Sequence, residues 1–253
     1  MMGMRFESKR VLVTGGARGI GAAAVEAFLR EGARVAVGAR SAHSFDAFAA
    51  THTGAAIVPA VGEIGSQREA AAVVAQAVAA LGGLDILVNS AGYFAEVKVE
   101  DIDQEHWDRV MNTNVAGTFF CSQAALPELK RNRGNIVNIA SDAGLIGYPN
   151  GAAYSASKAA VVNLSRAMVL ELAREVRINC VCPGNVDTDM VQQAAVDSGD
   201  APSYLAAARD RSPMKRMARP EEVADAILYL ASQEAGFVNG AILSIDGGGV
   251  CGF

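Results

Sequence analysis

Residues 11–21 read Val11-Leu12-Val13-Thr14-Gly15-Gly16-Ala17-Arg18-Gly19-Ile20-Gly21, an apolar run of strand length that breaks into a glycine-rich turn, and residues 22–30 continue in a helical pattern. Such a turn between strand and helix lets main chain approach a pyrophosphate closely, and the helix N-terminus adds unpaired N–H groups at the positive end of its dipole. The stretch therefore reads as a dinucleotide site, with Gly15, Ala17, Arg18, Gly19, Ile20 and Gly21 against the ligand. Its spacing is G-x-x-x-G-x-G and differs from the G-x-G-x-x-G form.

Outward from this turn, short apolar runs alternate with longer helical patterns. The runs lie at 11–13, 35–37, 57–61, 86–88, 136–140, 178–181 and 242–245. None alternates between apolar and polar residues, so each reads as a strand buried on both faces, as in a parallel sheet. Ser66-Gln67-Arg68-Glu69 has the form of a capping box opening an Ala-rich helix toward Leu81, and Gly82-Gly83 ends it. The predicted fold is α/β, a single Rossmann-like doubly wound domain over 1–253 with a seven-stranded parallel sheet and helices on both faces. In that architecture the ligand crevice lies at the carboxyl ends of the strands.

Composition narrows the function classes. The formal net charge is −5, and the basic cluster Lys130-Arg131-Asn132-Arg133 follows a helical pattern, so it reads as a solvated helix end, not a phosphate-binding face. No nucleic-acid partner is expected. The charged N-terminus lacks a signal peptide's apolar stretch, and no run is long and apolar enough for a bilayer, so a cytoplasmic protein is expected. Cys121, Cys180, Cys182 and Cys251 form no C-x-x-C pair, and His43, His52 and His106 are not spaced as metal ligands. Neither a metal nor a disulfide is predicted, and Cys180 and Cys182 should share one strand face as reduced thiols.

The turn Thr14-Gly15 to Gly21 resembles the T-G-x-x-x-G-I-G of the short-chain dehydrogenase/reductase family, and a second stretch strengthens the resemblance. In Tyr154-Ser155-Ala156-Ser157-Lys158, Tyr154 and Lys158 stand four apart on one helix face. Ser141 precedes Tyr154 by thirteen residues at the end of a strand-like run, the family's interval between its carbonyl-binding Ser and its Tyr. Asn114, in Asn112-Thr113-Asn114-Val115-Ala116-Gly117, stands where the family carries its fourth catalytic residue. Asn89-Ser90-Ala91-Gly92 is similar to the family's N-N-A-G, Pro183-Gly184-Asn185-Val186-Asp187-Thr188 to its P-G-x-x-x-T, and Asp246-Gly247-Gly248 to its C-terminal turn. Two departures appear: Glu63 stands where relatives carry an adenine-contacting Asp, and the connection 173–177 is a few residues short.

The resemblance implies a catalytic set of Asn114, Ser141, Tyr154 and Lys158. It also places Glu63, Ile64, Asn89, Ala91, Gly92, Tyr154, Lys158, Pro183, Gly184, Val186 and Thr188 against a nicotinamide cofactor. For the cofactor's ribose, NAD-preferring folds carry an acid after the second strand, which would repel a 2′-phosphate. Here that position is Ala39 and Arg40 and Ser41 follow, while Arg18 stands where many NADP-dependent relatives have a basic residue. NADP(H) is therefore expected over NAD(H), with NAD(H) possible if Arg40 faces solvent and Ser41 meets the ribose.

A free phenol titrates near ~10, and a Lys158 ammonium within about 4–6 Å, aided by the oxidised nicotinamide, is expected to lower that by roughly 1–3. Tyr154 then exchanges a proton with the substrate oxygen while the Ser141 hydroxyl donates to it. The resemblance also implies that Lys158 holds the nicotinamide ribose, that Asn114 positions a water, and that the chain forms a homotetramer. Pocket walls are expected from 93–96, 143–150 and a lid around 189–219, where Met190, Val191, Tyr204 and Leu205 could close over a carbonyl or alcohol substrate. Two other readings stand beside a generic dehydrogenase. One is a 3-oxoacyl-thioester (acyl carrier protein) reductase, with Arg131, Arg133 or Arg174 as docking residues near the entrance. The other is a non-catalytic cofactor-sensing protein of the same fold.

Overall fold

A computed structural model describes residues 4–252. Its sheet has seven strands in the order β3-β2-β1-β4-β5-β6-β7, and every neighbouring pair is parallel. The strands are β1 (Arg10–Thr14), β2 (Arg34–Ala39), β3 (Ile57–Val61), β4 (Ile86–Asn89), β5 (Asn135–Ile139), β6 (Arg177–Pro183) and β7 (Ile242–Ile245). All seven expected runs form strands. Their ends shift by a residue or two: β5 stops at Ile139, though the Ala140 N–H still donates to the Val181 carbonyl at 2.8 Å.

The helices are α1 (Gly19–Arg30), α2 (Ala42–Ala50), α3 (Gln67–Leu81), α4 (Gln104–Met111), α5 (Gly117–Asn132), α6 (Ala152–Leu172), α7 (Asp189–Asp197), α8 (Ala201–Asp210) and α9 (Pro220–Ala231). Successive strand residues point to opposite faces, and both faces of this sheet are covered. Val11, Val13, Val35 and Val37 pack with Phe28 of α1 and Ile227 of α9, whereas Leu12, Ala36, Leu87 and Ile136 pack with Val74 of α3 and Leu129 of α5. This double burial is why none of the strands alternates in sequence.

Local signals hold where they rest on backbone chemistry. The Ser66 hydroxyl caps α3 by accepting from the Glu69 N–H, and Gly82 closes the helix in the left-handed conformation at φ 76°. Cys180 and Cys182 are buried, unbridged neighbours on β6. Winding runs one way from β1 to β3 and the other way from β4 to β7, so the strand order reverses between β1 and β4 while the strands stay parallel. In open parallel sheets a crevice opens at such a point, outside the carboxyl ends of the strands. At this place Thr14 Oγ1 accepts from the N–H groups of Ser90 and Ala91 at 3.1 and 3.2 Å, tying the end of β1 to the chain leaving β4.

Candidate active site

A cleft of about 1370 Å³ opens at these strand ends. Its first wall is the turn after β1. Gly15 sits at φ +64°, and a Cβ there would stand 2.8 Å from the Ala91 Cα, so only glycine lets the two strand ends approach this closely. Arg18 is the N-cap of α1 and makes no side-chain cap, which leaves the helix's first N–H groups facing the cleft. Ala17, Gly19, Ile20, Gly21, Ala39, Arg40, Glu63, Ile64, Ala91 and Gly92 continue the wall, and Pro183, Gly184, Val186 and Thr188 face it. Neither Arg18 nor Arg40 has an ion-pair partner among the described residues. An anion-accepting helix start, a glycine cradle and two exposed guanidiniums fit a phosphate-bearing dinucleotide.

Three sequence-predicted residues stand behind the lining. The Ser41 hydroxyl caps α2, accepting from the Ser44 N–H at 3.2 Å; His43 and Ser44 line the cleft in its place. Asn89 is buried, and its Nδ2 donates to Ser122 Oγ at 2.9 Å and Asn138 Oδ1 at 2.8 Å. Asn114 is buried in a single widened turn, Asn112–Ala116, between α4 and α5. Its Oδ1 accepts from the Tyr93 N–H at 2.8 Å, and its Nδ2 donates to the Tyr93 carbonyl and to Ser157 Oγ at 3.0 and 2.9 Å. The amide thus clamps the loop after β4 to α6, next to Lys158.

Ser141 follows the end of β5 and Tyr154 and Lys158 rise one turn apart on α6, so the three meet on the cleft floor. Lys158 is buried, its Nζ donates to the Ile139 carbonyl at 2.9 Å, and it lies 5.6 Å from the centre of the Tyr154 ring. The expected lowering of the Tyr154 pKa is not what the chain's own groups produce. Burial dominates and pushes the phenol above its ordinary value; the Ser141 hydroxyl pulls it down, while Asp142, Tyr148 and Cys182 push it up. Burial likewise lowers Lys158 from 10.5 to about 8. Proximity at helical spacing was legible, but the desolvation that outweighs it was not.

Beyond Tyr154 the cleft is walled by side chains from separated segments. The Phe94 ring stands edge-on to Tyr154 at 4.8 Å and to Tyr148 at 6.0 Å. The Tyr148 and Tyr204 hydroxyls both donate to Glu96 Oε1, at 3.1 and 2.9 Å, so α8 is tied to the loops after β4 and β5. The Arg211 guanidinium covers the other face of this group, 3.9 Å from the centre of the Tyr148 ring. Met190 and Val191 line the cleft. Asp142 and Arg211 were not singled out from sequence; Asp142 could have been flagged by its place beside Ser141, whereas Arg211 carries no local signal. Arg131 and Arg133 follow or end α5, and Arg174 follows α6, so they sit at the amino-terminal ends of β5 and β6, opposite the cleft. The docking position expected for a carrier-bound substrate is therefore not where these cations lie.

A seven-stranded doubly wound sheet with Ser, Tyr and Lys converging on its cleft defines a dinucleotide-dependent oxidoreductase of the short-chain type. A family model described as Enoyl-(Acyl carrier protein) reductase matches residues 15–249. The chain is 40% identical over 257 residues to 2-(S)-hydroxypropyl-CoM dehydrogenase 3 of Xanthobacter autotrophicus, covering 98% of each. It is 36% identical over 249 residues to the 3-oxoacyl-[acyl-carrier-protein] reductase FabG of Thermotoga maritima, covering 97% of this chain and 99% of that protein. The ligand-free aldohexose dehydrogenase of Thermoplasma acidophilum superposes with a TM-score of 0.89 at 30% identity, over 99% of this chain and 97% of that one. The chain belongs to the short-chain dehydrogenase/reductase family, and it is an NAD(P)-dependent oxidoreductase that transfers hydride between its cofactor and a carbonyl or alcohol. No described helix is long and apolar enough to cross a membrane.

Proposed function

We propose that the reacting oxygen of a small carbonyl or secondary alcohol lies between Ser141 and Tyr154, and that Tyr154 exchanges its proton with that oxygen. The convergence of Ser141, Tyr154 and Lys158 on the floor of one cleft carries this reading. The nicotinamide supplies or accepts the hydride. A phenol held protonated well above neutral pH is suited to donate to an oxygen gaining negative charge. Ser141 orients the same oxygen. Lys158 holds the nicotinamide ribose from the cleft floor, and Asn114, locked to Tyr93 and Ser157, keeps a water-bearing path beside it.

The remaining cofactor contacts are assigned to the wall residues described above, with NADP(H) preferred over NAD(H). Ala39 contributes no carboxylate at the end of β2, and Arg18 and Arg40 are free to meet a 2′-phosphate. The small-molecule substrate is read as an apolar carbonyl or alcohol of medium size among such molecules, because Phe94, Tyr148 and Met190 supply the wall beyond Tyr154. A free small molecule suits the site better than a carrier-bound thioester, since the basic residues considered for docking lie at the opposite end of the sheet. We assign residues 1–253 to one catalytic unit in which 189–219 form the lid, and expect a cytoplasmic homotetramer.

Replacing Tyr154 with Phe tests the reading. It removes the proton-transfer group and leaves the cradle intact, so turnover should fall by about 10²–10⁴-fold while cofactor affinity, followed by fluorescence titration, stays near wild type. Retention of most of the activity would sink the mechanism.

A further inference from the structure

Beyond Tyr154 the cleft ends in a group whose protons are already committed. Glu96 lies on the loop after β4, exposed on the cleft wall. Its Oε1 accepts from the Tyr148 hydroxyl at 3.1 Å and from the Tyr204 hydroxyl at 2.9 Å. Among the described residues Oε2 takes no hydrogen bond, and neither oxygen has an ion-pair partner. A phenol has one proton and an ionised carboxylate none, so this group has only acceptor capacity left for a ligand. Burial is the first cause holding both phenols above their ordinary pKa, so they remain donors and the carboxylate stays fixed between them. Arg211 does not alter that balance: it stacks 3.9 Å from the centre of the Tyr148 ring and lines a neighbouring cavity of about 930 Å³, not the cleft.

An apolar spacer separates this group from Tyr154. The Phe94 ring stands edge-on to Tyr154 at 4.8 Å and to Tyr148 at 6.0 Å, and Met190 and Val191 line the same cleft from α7. A molecule whose reacting oxygen is held at Tyr154 passes this aromatic and aliphatic stretch before it meets the open Oε2.

We propose that Glu96 is a specificity-determining residue whose open oxygen accepts a hydrogen bond from a second hydroxyl of the substrate, set apart from the reacting carbon by an apolar segment, so that the enzyme interconverts a hydroxyketone and the matching diol. The inference rests on the reading that the reacting oxygen lies between Ser141 and Tyr154, and it specifies the far end of the same substrate. Two pinned donors leave the carboxylate little conformational freedom to lose on binding, which is what makes an exposed glutamate selective. A hydroxyl gains a charge-assisted bond there. A methyl group leaves Oε2 without a donor, and a carboxylate is repelled.

The test uses linear methyl ketones in a series of chain lengths, each made with a methyl, a hydroxymethyl or a carboxylate at the far end. Dissociation constants are measured by titration calorimetry on the complex with oxidised nicotinamide dinucleotide, in which a ketone has no hydride to receive and binding is read apart from turnover. At the chain length that fits, wild type should bind the hydroxymethyl ketone about tenfold more tightly than its methyl counterpart, and the carboxylate more weakly than either. Glu96→Gln keeps an Oε1 for the two phenols and turns an amide N–H toward the cleft, so the ratio of carboxylate to hydroxymethyl dissociation constants should fall by about tenfold or more. Glu96→Ala should bind the methyl and hydroxymethyl ketones alike. Asp189 and Asp197 of α7 also line the cleft and are common to all three proteins, so a change confined to the variants belongs to Glu96.

A wild type that binds no hydroxymethyl ketone more tightly than its methyl counterpart overturns the proposal, whether or not the variants fold. A preference that survives unchanged in both variants overturns it equally. The reading of the site fails separately: a Tyr154→Phe variant that keeps most of its turnover removes it, whereas one that loses turnover and keeps the hydroxymethyl preference supports both.

Discussion

At one end of the cleft the wall from Gly15 to Gly21 offers the ligand mostly main chain, with Arg18 as its charged side chain and Arg40 and Glu63 beside it. At the other end Phe94, Glu96, Tyr148, Tyr204 and Arg211 meet from separate segments, and nearly every contact is made by a side chain. The first wall follows from one turn whose backbone admits little but glycine. The second depends on loops being brought together by the whole sheet. Recognition of the cofactor can thus be altered at one or two exposed positions, whereas recognition of the substrate is spread over a network in which each member supports another.

Between these two walls, the larger effect is expected at the main-chain one. Ala39→Asp combined with Arg40→Ala places a carboxylate at the end of β2 and removes a cation, without touching the glycine turn. Wild type should prefer NADP(H) by at least about tenfold, because each guanidinium–phosphate contact is worth roughly 1.5–3 kcal/mol. The double variant should move kcat/KM toward NAD(H) by about tenfold or more. A wild type that prefers NAD(H) breaks the comparison at its simpler end, and a variant with no shift removes the stated cause.

How much of this was legible in the sequence follows the same division. The strands, the Ser66 cap of α3 and the glycine turn are legible because each is dictated by residues adjacent in the chain, although the Glu69 carboxylate accepts from the Ser66 hydroxyl and not from the Ser66 N–H of a full capping box. The Glu96 pairs span 52 and 108 residues, and Glu96, Tyr148 and Tyr204 have the composition of an ordinary polar surface until the fold gathers them. Residues 189–219 were legible as one long segment, but not as the two helices α7 and α8 with Tyr204 bonded to Glu96. Tyr154 and Lys158 fall between the two cases. Their i, i+4 spacing gave the neighbourhood, yet neither the burial that raises the phenol nor the bond from Lys158 to the Ile139 carbonyl can be read from spacing, since both depend on how α6 packs over β5 and β6.

That buried lysine gives an intermediate effect. Lys158 is 5% exposed, and burial takes its pKa from 10.5 to about 8. The folded value lies below the unfolded one, so the stability this position has above the unfolded pKa is lost as the pH falls through 8. The shift corresponds to about 3 kcal/mol. Lys158→Met carries no such cost but leaves the Ile139 carbonyl without its donor, so the variant should be more stable than wild type by about 1–3 kcal/mol at pH 7. In urea unfolding at a series of pH values, the gap should close as the pH rises from 8 toward 10.5. A less stable variant at pH 7 would mean that the floor of the site stores no desolvation cost.

The smallest effect is expected from the latch at the far end. Tyr204 reaches Glu96 across the cleft at 2.9 Å, but Glu96 is exposed and also accepts from Tyr148. Tyr204→Phe keeps the ring that packs in the lid and removes one hydrogen bond to a carboxylate that retains a second donor and solvent. A partly exposed bond of this kind contributes about 0.5–1.5 kcal/mol, so the expected outcome is a rise in substrate KM of a few fold with cofactor affinity unchanged. Tyr148→Phe should have an effect of similar size. If the two hydroxyls support one lid position, the double variant should cost more than the sum of the single changes, because only then is Glu96 left without either donor. Strict additivity in KM would show that the two tyrosines act independently, and that substrate recognition here is as separable as cofactor recognition at the other end.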